Sequence, residues 1–442
     1  MWDRLSKAGR LLLLPLFALA FFLTAYFYFG YPGNYEPPDT PRVAIKGLLA
    51  PSSTLSAFSE SPSLRRGTLV VDGLHGNNFD KKELSVLLSR VAARGYEVDI
   101  VGESGRFGGF SSLSEGRRLN ILQEKLRQAD SLVVILPSDP YSKAEADLVE
   151  RFVLRKGGKL LLIADPTRRN EINSLAGRFG MSFQPDYLYN TSDYDLNFQN
   201  VFIRQFGEDE ITRGLNQLVF YTAGSIKAFT LGLAFTDGNT RSSMTEQAEP
   251  FYPLVKAGEG RVLALSDLTF MIPPRNAVLD NDRLVSNIAD YLTDSQRRFT
   301  LADFPHFFKG DVDILLGRSS LFDVATTVKV MLSRFRTASE VRGAEDITKD
   351  TVFLGLYDDS AGVAQYLQVA GIGLDGDLRT PFTPGIDRED TAIILLHPGP
   401  ERHVLVVLAD SESTLRGAVS LLSIDDFRAG LVGDFVGVYR NP

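Results

Sequence analysis

Residues 131–165 read SLVVILPSDPYSKAEADLVERFVLRKGGKLLLIAD. Ser131–Leu136 is a continuous apolar run, the pattern of a strand covered on both faces. Ser142-x-x-Glu145 is a capping box that opens a helix, and Gly157-Gly158 stops it. A second apolar run, Lys159–Ala164, follows at once. Strand, helix, strand with short connections predicts parallel pairing with helices on both faces of the sheet.

The same grammar extends in both directions. Upstream, Gly67–Asp72 is a strand candidate, Asp80-x-x-Glu83 a second capping box for a helix over 81–94, and Gly95 its stop. Tyr96–Val101 and a helix over 114–128 follow. Downstream come strand candidates Leu218–Thr222 and Arg261–Ser266 and a helix near 282–293, with irregular chain between. A second alternation has strands at Asp313–Leu316 and Val352–Leu356 and helices over 321–335 and 360–369. Ala392–Leu396 and Val404–Leu408 then form a hairpin around HPGPERH, before a helix over 412–422 and a strand near 434–439. The expected organisation is an α/β domain over 66–295, a hinge over 296–311 and a smaller α/β domain over 312–442.

Before all of this, Leu11–Gly30 runs LLLLPLFALAFFLTAYFYFG without a charged residue. At about 1.5 Å per residue such a helix matches a bilayer core of about 30 Å. Arg4, Lys7 and Arg10 precede it, while the following YPGNYEPPDTP has no Lys or Arg. The charge bias keeps residues 1–10 in the cytoplasm and exports the rest of a single-pass membrane protein. Tyr26, Tyr28 and Tyr31 sit at the outer interface, and residues 31–65, rich in Pro and Ser, form a stalk and lead-in.

Composition narrows the chemistry. With 55 acidic against 47 basic residues, net charge is −8, which argues against nucleic-acid binding. The chain contains no cysteine, so disulfides, zinc–thiolate sites and thiol nucleophiles are excluded. No nucleotide-binding motif is present, and GESGRFGGF (102–110) matches neither phosphate-loop pattern. No cofactor, metal site or catalytic residue is assigned.

LVVDGLHGNNF, the 131–165 segment, and GRVLALSDLTFMIPP with NDRLVSNIADYL together resemble the class I glutamine-amidotransferase-like, flavodoxin-like domain. That domain also occurs in gliding-motility auxiliary protein G, intraflagellar transport protein 52 and membrane-anchored bacterial proteins. HVLVVLADSESTLRGAVSLL is loosely similar to the α/β domains of cellulose-synthase accessory proteins. The resemblance implies a Cys nucleophile on a strand–helix elbow; here Pro137-Ser138-Asp139-Pro140 stands there, so glutaminase activity is not expected.

Asp72, His75, Asn77 and Asn78 lie past the end of a strand, where open α/β sheets bind ligands. With Ser138, Asp165 and Asp267, which end other strands, they form the candidate binding crevice. The competing explanation is that Asp and Asn at strand ends build turns and caps. His306 packs in an aromatic junction, and His397 and His403 face each other across a hairpin. Asn190-Thr191-Ser192 matches a glycosylation sequon. The expected function is a non-enzymatic accessory or scaffold protein of a transport, motility or envelope-assembly complex, with membrane partners such as transporter or ATPase subunits. A carbohydrate- or peptide-binding sensor and a divergent hydrolase are the alternatives.

Overall fold

The computed structural model describes residues 7–30, 58–103, 105, 112–229, 232–399 and 402–440. Expectations placed on residues 1–6, on 31–57 and on most of the Gly-rich 102–110 segment fall outside them. Two compact units divide the chain, residues 1–51 and 52–442.

In the first unit, helix α1 (Lys7–Ala25) contains Pro15 and continues into a π-helical turn at Tyr26–Gly30. Leu13–Gly30 has a mean hydropathy of 1.8, none of its residues is buried, and it is long and apolar enough to cross a membrane.

The second unit holds two sheets. Strands β1 (Gly67–Gly73), β2 (Tyr96–Gly102), β3 (Ser131–Ile135) and β4 (Lys159–Ile163) pair in parallel in the order β2-β1-β3-β4, and Val262–Leu265 adds a fifth parallel strand beyond β4. This 2-1-3-4-5 order is that of the flavodoxin-like doubly wound sheet, whose switch point lies between β1 and β3. Three antiparallel strands, Leu254–Ala257, Gly232–Phe235 and Gln205–Phe206, extend the far edge. These went unread in the sequence, because strands of two to four residues carry too little alternation to register.

The parallel strands are apolar on both faces because both are covered. Leu69, Val71, Val133, Ile135, Leu161 and Ile163 pack with helix α2 (Ser85–Ala93) and the helix Asn281–Thr293. The alternate residues Val70, Leu132, Val134, Leu160 and Leu162 pack with helices α3 (Glu115–Gln128) and α4 (Lys143–Glu150). Both capping boxes form: Asp80 with Glu83, opening a 3₁₀ turn ahead of α2, and Ser142 with Glu145 at the start of α4.

The second sheet has six strands, in the order Ser339–Arg342, Val312–Leu316, Asp350–Leu356, His403–Ala409, Thr391–Pro398, Val436–Arg440. The first four are parallel and the hairpin is antiparallel. Its register pairs His397 with Val404 and Pro398 with His403. The two histidines therefore project from opposite faces, contrary to the expectation that they face each other. His397 meets Tyr366 at 5.1 Å, and His403 stacks on Phe307 at 5.7 Å.

Residues 296–311, expected as a hinge, carry a run of buried side chains from Phe299 to Phe308. Phe299, Leu301, Phe304, Phe307 and Phe308 join the core of the second sheet. Arg297 stacks near Phe152 and Phe299 and donates to Ala129 O, while Asp303 accepts from Lys156 Nζ at 2.8 Å and from Thr300 N at 2.9 Å. Lys309 reaches Asp130 at 2.9 Å. Burial opposes the Asp303 charge, yet Arg297 and Lys156 hold its carboxyl below the usual range. Asp303→Asn would leave those cations uncompensated and is expected to cost about 3 kcal/mol or more, measured by urea unfolding of the solubilised chain. A cost under about 1 kcal/mol would mean that this carboxylate does not hold the junction.

Candidate functional site

The carboxyl ends of β1 and β3 meet at the switch point, and three of the candidate residues converge there. Asp72 closes β1 with its side chain turned back: Oδ1 accepts from Leu74 N at 3.0 Å. Asp72 Oδ2 accepts from Tyr141 Oη at 2.7 Å and contacts His75 Nδ1 at 2.9 Å. Asn77 ties this turn to the next strand, donating to Ile135 O at 2.8 Å and accepting from His75 N at 3.1 Å. The His75 ring stacks on Tyr141 with centroids 3.8 Å apart.

On its other side His75 Nε2 lies 3.5 Å from Glu145 Oε1, an ion-pair separation longer than a good hydrogen bond. Glu145 is the capping-box residue of α4; it also accepts from Ser142 N at 2.8 Å and Arg118 Nε at 3.2 Å. Tyr141 and Glu145 were not among the residues singled out for chemistry. The capping box was legible, but its acidic member reads as a helix start and gives no sign of facing a histidine.

Asp72, His75, Asn77 and Glu145 are each at most 1% exposed. Burial pulls the imidazole down, but Asp72 and Glu145 together push His75 up to about 9. Burial likewise opposes the charge on Glu145, which His75 and the Ser142 contacts lower to about 2. Asp72 is also held below its ordinary value, by His75, Tyr141 and Leu74 N, against the effect of burial. The result is an imidazolium clamped between two carboxylates out of contact with water. Paired in this way, the imidazolium ties the turn after β1 to the first turn of α4.

The remaining candidates are held as follows. Asn78 is anchored through its backbone, N to Leu136 O at 2.9 Å. Ser138 contributes its N–H to His75 O at 3.0 Å, and its hydroxyl makes no hydrogen bond to any described residue. Asp165 and Asp267 form a second buried group: Thr269 Oγ1 donates to Asp165 at 3.3 Å, and Thr269 N donates to Asp267 at 2.6 Å. Tyr221 N donates to Asp267 at 2.7 Å. Burial, reinforced by Asp165, pushes the Asp267 carboxyl well above its usual value. No hydrogen bond joins this group to Asp72 among the described residues, while Arg168, three residues past Asp165, donates to Asn78 O at 3.1 Å. A cavity of about 320 Å³ opens beside Asp165, bordered by Arg168, Asn173 and Gln184. Among the described residues no group of three or more His, Asp or Glu is placed to hold a metal ion.

The corner after β3 is sharp. Leu136, fully buried, adopts φ +46°, a left-handed conformation that costs a branched side chain about 1 kcal/mol or more. The expectation put the elbow at Pro137–Pro140; the strained residue is the one before. Asn190, the sequon asparagine, is buried, with Nδ2 donating to both oxygens of Asp237 at 2.9 and 3.1 Å. Expression in a glycosylating host is expected to add no glycan at Asn190, checked by intact mass before and after glycosidase treatment.

No family model and no curated protein matches the chain. Among solved structures, the glutaminase domain of Trypanosoma brucei CTPS with bound acivicin is similar at 9% identity, over 51% of this chain and 93% of that one. Its TM-score is 0.26, and a likeness that loose carries no inference.

The sign of the pH dependence follows from the cluster. Since His75 rises from 6.5 in the free imidazole to about 9 on folding, its stabilisation is complete below 6.5 and is lost as pH climbs through about 9. Urea unfolding is expected to show a loss on the order of 3 kcal/mol between about pH 6 and about pH 9.5. His75→Gln should be less stable at the lower pH and lack that alkaline slope. An equal slope in the variant would remove His75 as its source.

Proposed function

We propose that this chain is a membrane-tethered, non-enzymatic accessory protein built on a catalytically silent amidotransferase-like α/β lobe. The observation that carries the reading is the occupied switch point. In doubly wound sheets ligands enter at the carboxyl ends of the strands beside that point. Here the space is filled by the Asp72–His75–Tyr141–Glu145 cluster, all at most 5% exposed. If the amidotransferase pattern holds, the elbow residue is Leu136, buried and without a nucleophilic atom, in a chain that has no cysteine. A fold alone does not assign a role, so the weight rests on this filled site.

In this reading α1 holds the lobes at the membrane, with the N-terminal flank cytoplasmic and residues 31–442 exported. The outer surfaces of the lobes then bind membrane proteins, and the expected class is that of transporter or ATPase subunits. A sensor role keeps one point of support, the cavity of about 320 Å³ beside Asp165, whose Arg168, Asn173 and Gln184 offer polar contacts.

Extraction of native membranes in mild detergent, capture of this chain and mass spectrometry is the direct test. A stoichiometric set of membrane proteins is expected, together with digestion of residues beyond 58 by protease added outside intact spheroplasts. Recovery of the chain alone, with glutamine-dependent ammonia release that Asp72→Ala abolishes, would replace this reading by an enzymatic one.

A further inference from the structure

Residues 58–66, just before β1, lie across the outer faces of α2 and the helix Asn281–Thr293. None of the nine is buried; each is half-buried or exposed, and Leu64 is 81% exposed. Apolar burial therefore contributes little to holding them, and charge supplies the grip. Glu60 pairs with Arg90 at 2.9 Å and with Arg94 at 3.0 Å, and it accepts from the Ser286 hydroxyl. The Phe58 ring meets two guanidinium groups, 4.9 Å from Arg283 and 5.5 Å from Arg90. Arg65 pairs with Asp294 at 2.7 Å, and Arg66 donates to Lys309 O at 3.0 Å. A backbone bond from Arg65 N to Arg94 O at 2.8 Å adds to these.

Detaching these residues strands no charge beneath them. Arg90 keeps Asp282 at 2.9 Å, while Arg94 keeps Asp290 at 2.7 Å and Arg90 O at 2.9 Å. The heavy penalty for breaking a buried pair comes from the charge left uncompensated, and here each guanidinium retains a carboxylate. The helices below pack through Leu87, Val91, Leu284, Val285 and Ile288, all fully buried, without any residue of 58–66. Half-exposed ion pairs hold weakly one by one, and salt weakens them further.

We propose that residues 58–66 form a releasable, charge-held strap whose detachment lengthens the connection between the lobes and the anchor helix. Fully extended, nine residues reach about 30 Å. Glu60 is the clasp: its one carboxylate gathers α2, the helix Asn281–Thr293 and the strap at a single point. The lengthening rests on the tethered reading above, whereas the detachment does not.

The chain contains no cysteine, so Ser61→Cys and Ser89→Cys, both at exposed positions, carry a pair of spin labels without background. Pulsed EPR on the full chain in nanodiscs then measures the separation of strap and α2. In about 0.1 M KCl a short, narrow separation is expected to dominate. Raising KCl to about 1 M cuts the screening length from about 10 Å to about 3 Å. The ratio of long to short separations should then rise at least about fivefold, and Glu60→Gln should do the same at the lower salt. A distribution that neither change alters overturns the strap. A dye on the single Ser89→Cys variant measures the reach, through energy transfer to acceptor lipids in the same nanodiscs. Transfer is expected to fall when Glu60→Gln is added. Release with constant transfer overturns the lengthening and leaves the tethered reading to its own test.

Discussion

Asp72 and His75 sit 2.9 Å apart where water does not reach, at the junction of the two strands around which the first sheet is wound. A buried charge survives only if it is matched and hydrogen-bonded, and this requirement propagates outward. Matching the imidazolium from the far side needs Glu145, which fixes the first turn of α4 over the end of β3. Matching the remaining Asp72 lone pair needs Tyr141, which fixes the loop between them. Asn77 then ties the β1 loop to the β3 backbone. The cluster therefore couples two strands, two loops and a helix through contacts that fail together.

The same logic recurs between the sheets. Asp303, fully buried, gathers Lys156 from the first sheet's helical layer and Arg297 from the connecting segment. Removing one partner exposes the others to an uncompensated desolvation cost, so these groups favour one arrangement of the two sheets over its neighbours. Aromatic packing of Phe304 against Phe427 and stacking of His403 on Phe307 supply the apolar part of that joint. The connection expected as a hinge contributes its aromatic side chains to the core of the second sheet. Neutral His306, pushed down to about 4 by burial and by Lys309, belongs to that joint as a packed ring against Phe335.

Much of the architecture was legible along the chain. The runs at 131–136 and 159–164 gave two adjacent parallel strands because alternate residues must be apolar on both faces of a covered sheet. The capping boxes at Asp80 and Ser142 marked helix starts because their side chains satisfy backbone donors within three residues. Short strands such as Gly232–Phe235 were not legible, since their pairing is set by neighbours far away in sequence.

The site divides along the same line. The sequence by itself determined that the chain has no thiol nucleophile, that Leu11–Gly30 can span a bilayer, and that Asp72, His75 and Asn77 lie at a strand end. These depend only on residue identity and on contacts a few positions apart. The tertiary structure decided that His75 is flanked by a second carboxylate seventy residues on, and that Asp165 and Asp267 share Thr269 as a partner. Charge pairing acts over a few ångströms of space regardless of the distance along the chain. The partner of a buried charge is therefore known only once the fold has brought it there.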